Sequence, residues 1–185
     1  MKIRTAVVLA LVTLTPLASG RAQISNPLKF TLFGGVALPS GSTSDLVQTG
    51  YTVGGALDLK LPLMPVGFRG EALYSSFNAK GLSSAGTNAD ATEFGANLNV
   101  VMWVPLPTAG LVRPYLTGGP SYSRLELSPT GVPGTTTASR WGLNAGGGVQ
   151  LSLGDLGVRF DARYRRISTD TDAFTYIPVT MGITF

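Results

Sequence analysis

Charged residues recur at alternate positions along otherwise apolar segments of this chain. They are its best candidates for chemistry: Asp58, Lys60, Arg69, Glu71, Glu93, Arg159, Asp161, Arg163 and Arg165. Side chains alternate between the two faces of a strand. Asp58 and Lys60 therefore share one face, as do Arg69 and Glu71, and so do Arg159, Asp161, Arg163 and Arg165. Glu71 and Glu93 could form a paired-carboxylate acid–base site. The arginines that accompany them make ion pairing the stronger reading, because isolated buried charge is costly and the signs nearly balance. The other reading is a narrow ion path in which Arg163 and Arg165 would favour anions.

The remaining chemistry is thin. The chain contains no His and no Cys. That removes the usual general base, the usual metal ligand, the Ser–His pair and any disulfide framework. Asp170 and Asp172 flank Thr171 in a polar stretch, but Ca²⁺ takes ~6–8 oxygen ligands, so they read as solvated loop carboxylates. Ser83-Ser84 and the run 135–137 lack a His partner or a nucleophile elbow. Gly146-Gly147-Gly148 lacks the Lys-Ser/Thr of a phosphate loop and reads as close packing within a strand. No catalytic residue, cofactor or metal site is expected.

The elements that would carry these charges are strands. Alternation and turn residues define eight segments: Leu28–Leu38, Tyr51–Leu61, Val66–Phe77, Thr92–Val104, Val112–Leu127, Arg140–Leu153, Leu156–Ile167 and Phe174–Phe185. Each reaches the ~9–11 residues of a tilted membrane strand. Opposite the charges lie apolar side chains such as Leu57, Phe68, Leu98, Val149, Phe160 and Ile183, which are expected to face lipid. The fifth segment contains Pro114 and Pro120 and is the least regular, with a bulge expected near Gly118-Gly119.

Connections alternate in length. Short turns join the second to the third, fourth to fifth and sixth to seventh segments. Longer stretches rich in Gly, Ser, Thr, Asn and Asp fill the other connections. Tyr51, Tyr74, Phe94, Tyr122, Trp141 and Tyr164 all fall at the long-loop ends of their segments, while Phe30, Phe68 and Phe185 lie toward the short turns. Two aromatic girdles at two membrane interfaces account for this distribution. The long loops carry only Asp45, Lys80, Asp90, Asp170 and Asp172 as charges and give no strong sign of a protein partner.

Both ends carry addresses. Lys2 and Arg4 precede an apolar run from Ala6 to Leu14, then Pro16 and small residues, which is the pattern of a cleaved signal peptide. Cleavage is expected after Ala22, leaving 23–185 as one domain. The cut removes Lys2, Arg4 and Arg21 and brings the net charge close to neutral, which argues against nucleic-acid binding. At the other end Ile177, Val179, Met181, Ile183 and the terminal Phe185 share one strand face. This ending resembles the C-terminal signal of bacterial outer-membrane barrels, which the barrel-assembly machinery recognises; Phe185, Ile183 and Met181 are its matching positions.

With these features together, residues 28–185 resemble the small OmpA/OmpX-type outer-membrane β-barrel superfamily. The stretches Phe33–Gly41 and Arg113–Gly119 look like the first and fifth strands of its members. The resemblance implies an all-β, eight-stranded antiparallel up-and-down transmembrane barrel in the outer membrane of a diderm bacterium. Both termini would be periplasmic, and the long loops would face outside. It implies a monomer whose partners are outer-membrane lipid, lipopolysaccharide and, during biogenesis, the assembly machinery. The expected role is non-enzymatic, structural or surface-interacting, with a small gated pore as the alternative. A lipid-modifying barrel enzyme is disfavoured by the missing His. A soluble lipocalin-like barrel would require the opposite polarity, apolar inside and polar outside.

Overall fold

The computed structural model describes residues 27–78, 89–107, 111–129, 136–154, 156–169 and 173–185. The leader with its cleavage site, Asp170 to Asp172, and Ser83-Ser84 lie outside the described residues. The strands are β1 (Leu28–Pro39), β2 (Gly50–Lys60), β3 (Val66–Asn78), β4 (Ala89–Trp103), β5 (Val112–Pro129), β6 (Thr136–Leu153), β7 (Leu156–Ile167) and β8 (Phe174–Thr184). Each pairs antiparallel with its sequence neighbours, and β8 pairs back onto β1 to close the barrel. Closure leaves no unpaired sheet edge, the condition for β-structure to cross a membrane.

The ladders are staggered. From Leu28 the pairings run through Leu59, Phe68, Val100, Gly118, Ala145 and Tyr164. Extending the β7–β8 register to Ile177, the path returns to β1 at Leu38 rather than Leu28. Such a shear forces the strands to tilt and fixes the barrel's width, which for eight strands is about that of the side chains inside.

The alternation sorts the wall as a membrane requires. Leu57, Phe68, Leu98, Phe160 and Ile183 are all exposed on the outside, and Val149 is half-exposed. Tyr51, Tyr74, Phe94, Tyr122, Trp141 and Tyr164 also point outward; Tyr51, Tyr74 and Tyr164 lie near the loop-side ends of their strands, whereas β4, β5 and β6 run on past Phe94, Tyr122 and Trp141 toward the loops. Tyr122 and Trp141 sit opposite each other in the β5–β6 ladder with ring centroids 5.2 Å apart.

Three features differ from the sequence reading. No bulge occurs near Gly118-Gly119. Asn97↔Ser121 and Val100↔Gly118 belong to one register, so no residue is inserted. A Cβ on Gly119 would lie 2.1 Å from the Leu98 carbonyl oxygen, so Gly119 serves a close strand approach rather than a bulge. Second, β4, β5 and β6 reach further toward the loops than expected, with Leu127↔Thr136 extending the β5–β6 hairpin where a loop was read. Third, the first long loop contains a short helix, α1 (Thr43–Leu46), tied to β8 by a Thr175 N–H that donates to Thr43 Oγ1 at 2.8 Å. At the turn side, Gly154 at φ +69° supplies the left-handed residue of the tight β6–β7 hairpin, closed by Leu153↔Leu156.

Candidate functional site

The charged residues read from the sequence come from four strands, β2, β3, β4 and β7, and all but Lys60 meet inside the barrel. Asp58, Arg69, Glu71, Glu93, Arg159, Asp161, Arg163 and Arg165 are all 6% exposed or less. Lys60 stands apart. It shares the inward face but sits half-buried at the turn-side end of β2, with no carboxylate within ion-pair distance among the described residues. The buried set is therefore four carboxylates and four guanidiniums, equal in number.

Their pairing is continuous. Arg69 Nε donates to Asp58 Oδ1 at 2.5 Å, and Arg159 Nη1 donates to Asp58 Oδ2 at 3.2 Å. Arg163 reaches two acids: its Nε donates to Asp161 Oδ1 at 2.5 Å, and its Nη1 to Glu71 Oε2. Asn97 and Asn99 each donate from Nδ2 to the same Glu71 oxygen at 3.1 Å, and Asn144 braces Asn99 at 2.9 Å. Nearer the loops, Arg165 Nη2 donates to Glu93 Oε1 at 2.7 Å, while its Nη1 donates to Asn97 Oδ1 at 2.8 Å. Asn97 thus links the two tiers. Charge-assisted hydrogen bonds of this kind are the strongest available to side chains, and here each carboxylate has at least one.

Two tyrosines, neither singled out by the sequence reading as a site residue, complete the network. Tyr115 donates to Asp161 Oδ2 at 2.5 Å, and its ring lies 4.8 Å from Arg69 Cζ. Tyr176 donates to Glu93 Oε2 at 2.6 Å. The available signal was parity: Tyr115 shares the face of Arg113 on β5, and Tyr176 lies opposite the apolar face of Ile177, Val179, Met181 and Ile183 on β8.

The loop-side end of the lumen is not polar, as an interior of charges would suggest. Ala37, Phe77, Ile167 and Tyr176 form a buried cluster there, joined by Val47 from the residue following α1. Phe77, Phe174 and Tyr176 pack edge to face, with centroids 5.2–5.9 Å apart. Ala91 and Leu125 pack against them. Tyr176 joins the layers, with its ring in the apolar cap and its hydroxyl in the charge network. The strand residues of this cap were also legible by parity, because each lies on the inward face; Val47, which lies in no strand, was not.

The arrangement neutralises charge and fills space. Each of the four lumen carboxylates is engaged by Arg, Asn, Ser or Tyr, and among the described residues no group of potential ligands converges to hold a metal.

Solved structures share this architecture. Neisserial surface protein A matches with a TM-score of 0.62 and 16% identity over 85% of this chain and 96% of that one. A major outer membrane protein from Thermus thermophilus matches with a TM-score of 0.58 and 14% identity, over 85% and 98%. Ail, the attachment invasion locus protein of Yersinia pestis, gives 0.50 and 15%, over 85% and 98%. At such identities the likeness is one of fold. No curated protein matches in sequence. The model of the outer membrane protein beta-barrel domain matches residues 5–185, and the chain belongs to that family.

Proposed function

We propose that this protein is a non-conducting, non-enzymatic outer-membrane barrel that acts through its wall and its outward loops. The observation that carries this reading is the double closure of the lumen. An apolar cap occupies the loop side, and a neutral network of paired charges lies directly beneath it. A solute would have to displace the cap and then break pairs whose separation leaves uncompensated charge, on the order of 3–5 kcal/mol for a dry pair.

The termini share the short-turn side, which we read as periplasmic, and the longer loops then face outward. A surface role agrees with the names of two similar folds, a surface protein and an attachment invasion protein. The exposed apolar wall would be covered by outer-membrane lipid and lipopolysaccharide in a monomeric barrel, and Phe185 would be read by the assembly machinery. The test is conductance of the purified protein in planar bilayers. Silence is expected, whereas reproducible, long-lived single-channel currents would overturn this reading in favour of a pore.

A further inference from the structure

The self-neutralising network leaves a remainder at the turn-side mouth of the lumen. Lys29, Lys60 and Arg113 also lie on inward faces there, each half-buried. Asp58 stands opposite Lys29 in the β1–β2 ladder, but its two oxygens are taken by Arg69 and Arg159. None of the three cations has a carboxylate within ion-pair distance among the described residues.

Two of them converge on one indole. Lys60 Nζ lies 5.1 Å from the Trp103 ring centroid, and Arg113 Cζ lies 4.6 Å from it. Trp103 is 7% exposed, and its Nε1 is buried without an acceptor. Beside this indole is a recess of about 190 Å³, lined by Trp103, Arg113, Pro65, Pro105 and Leu106 among others.

Ring contacts give a cation ~0.5–2 kcal/mol but bring no negative charge. Like charges gathered at one mouth repel, and a buried donor without an acceptor costs ~1–3 kcal/mol. An oxyanion in the recess would relieve this strain. Its oxygens would accept from the Arg113 guanidinium fork that lines the recess, and its charge would balance that of Arg113 and of Lys60 on the same indole. Among the described residues, the opposite end of the lumen is closed by an apolar cap instead.

We propose that the turn-side mouth is a phosphate-binding site formed by Lys60, Arg113 and Trp103, with Lys29 adding to its field. The phosphate is either free or the headgroup of a phospholipid. The site does not depend on whether the barrel conducts.

The test uses the whole folded barrel carrying Trp141→Phe, so that Trp103 is its only tryptophan. In zwitterionic detergent, inorganic phosphate at constant ionic strength should change Trp103 emission saturably, while chloride should not. Lys60→Gln with Arg113→Gln should weaken the response at least tenfold. Lys60→Gln alone provides the comparison should the double variant fail to fold, as judged by heat-modifiable migration. In nanodiscs, phosphatidylglycerol in place of phosphatidylcholine should pre-empt the phosphate response if a headgroup is the ligand, and should leave it intact if free phosphate is. A response that is absent in both settings, or equal in the folded variants, would overturn the proposal.

Discussion

Glu71 is the acceptor on which most of the lumen network converges. Arg163, Asn97 and Asn99 all donate to its Oε2, and Arg159 Nη2 stands 3.9 Å from Oε1. Replacing it with Ala leaves four buried guanidiniums facing three carboxylates, with Arg163 held by Asp161 alone, and the expected loss is ~3–5 kcal/mol. Reversible urea unfolding in lipid vesicles measures it, and a loss under about 1 kcal/mol would mean that water already shares the charge. Arg124 offers the contrast. It pairs with Glu126 at 3.0 Å, but the two side chains are 58% and 40% exposed, so Arg124→Ala should cost no more than ~1 kcal/mol. On the outer face, Leu98 is exposed midway between Phe94, toward the loop end of β4, and Met102, near its turn end. Leu98→Arg should cost ~2–4 kcal/mol there, and Trp141→Arg, near the loop-side rim, only ~0–1. Equal costs in the same unfolding assay would displace the membrane midplane from Leu98.

The element scale is governed by how closely the strands approach. Gly148 is the clearest case. A Cβ there would meet the Phe160 carbonyl oxygen at 2.2 Å and the Tyr115 hydroxyl at 2.5 Å. Gly148→Ala should therefore separate β6 from β7 and dislodge the Tyr115–Asp161 hydrogen bond, at ~1–3 kcal/mol. Thermal unfolding in detergent would read this as a lowered midpoint; an unchanged midpoint would show that the strands yield freely. β8 poses a different question, because its end also closes the barrel. Phe185 N–H donates to the Phe30 carbonyl at 2.8 Å, and Phe30 N–H returns a bond at 3.3 Å, while the Phe185 ring is 52% exposed. Deleting Phe185 removes two backbone hydrogen bonds worth ~0.5–1.5 kcal/mol each. Outer-membrane levels should fall far more than that loss explains if the residue is read during assembly. Normal levels in cell fractions would place the signal elsewhere.

For the whole molecule, the lumen is layered along its axis: an apolar cap at the loops, a neutral charge network in the middle, a cationic mouth at the turns. Barriers in series make single openings ineffective. Arg163→Ala leaves the cap in place, and Phe77→Ala leaves the network in place, so each alone should remain silent in planar bilayers. The double variant should conduct. Current from Phe77→Ala alone would show that the network is permeable and that the cap is the only seal.

The sequence by itself determined most of the architecture. Period-two alternation decides which face each residue takes, and the alternation of turn and loop lengths decides the up-and-down order, so the eight strands and the inward set of charges were legible one residue at a time. Segment ends were less so: Thr136 and Thr137 extend β6 by pairing with β5, a choice made between strands. Three things belonged to the tertiary structure alone. Shear decided which inward residues lie at one level, and so which acid meets which arginine: Asp58 meets Arg159 and Glu71 meets Arg163 across 101 and 92 residues of chain. The inward turn of the first loop decided that Val47 would help seal the lumen. Finally, Lys60, near in sequence to Asp58, has no carboxylate partner among the described residues, because Arg69 and Arg159 take that carboxylate. Periodicity assigns a face, but only the closed barrel brings distant positions on that face within hydrogen-bonding distance.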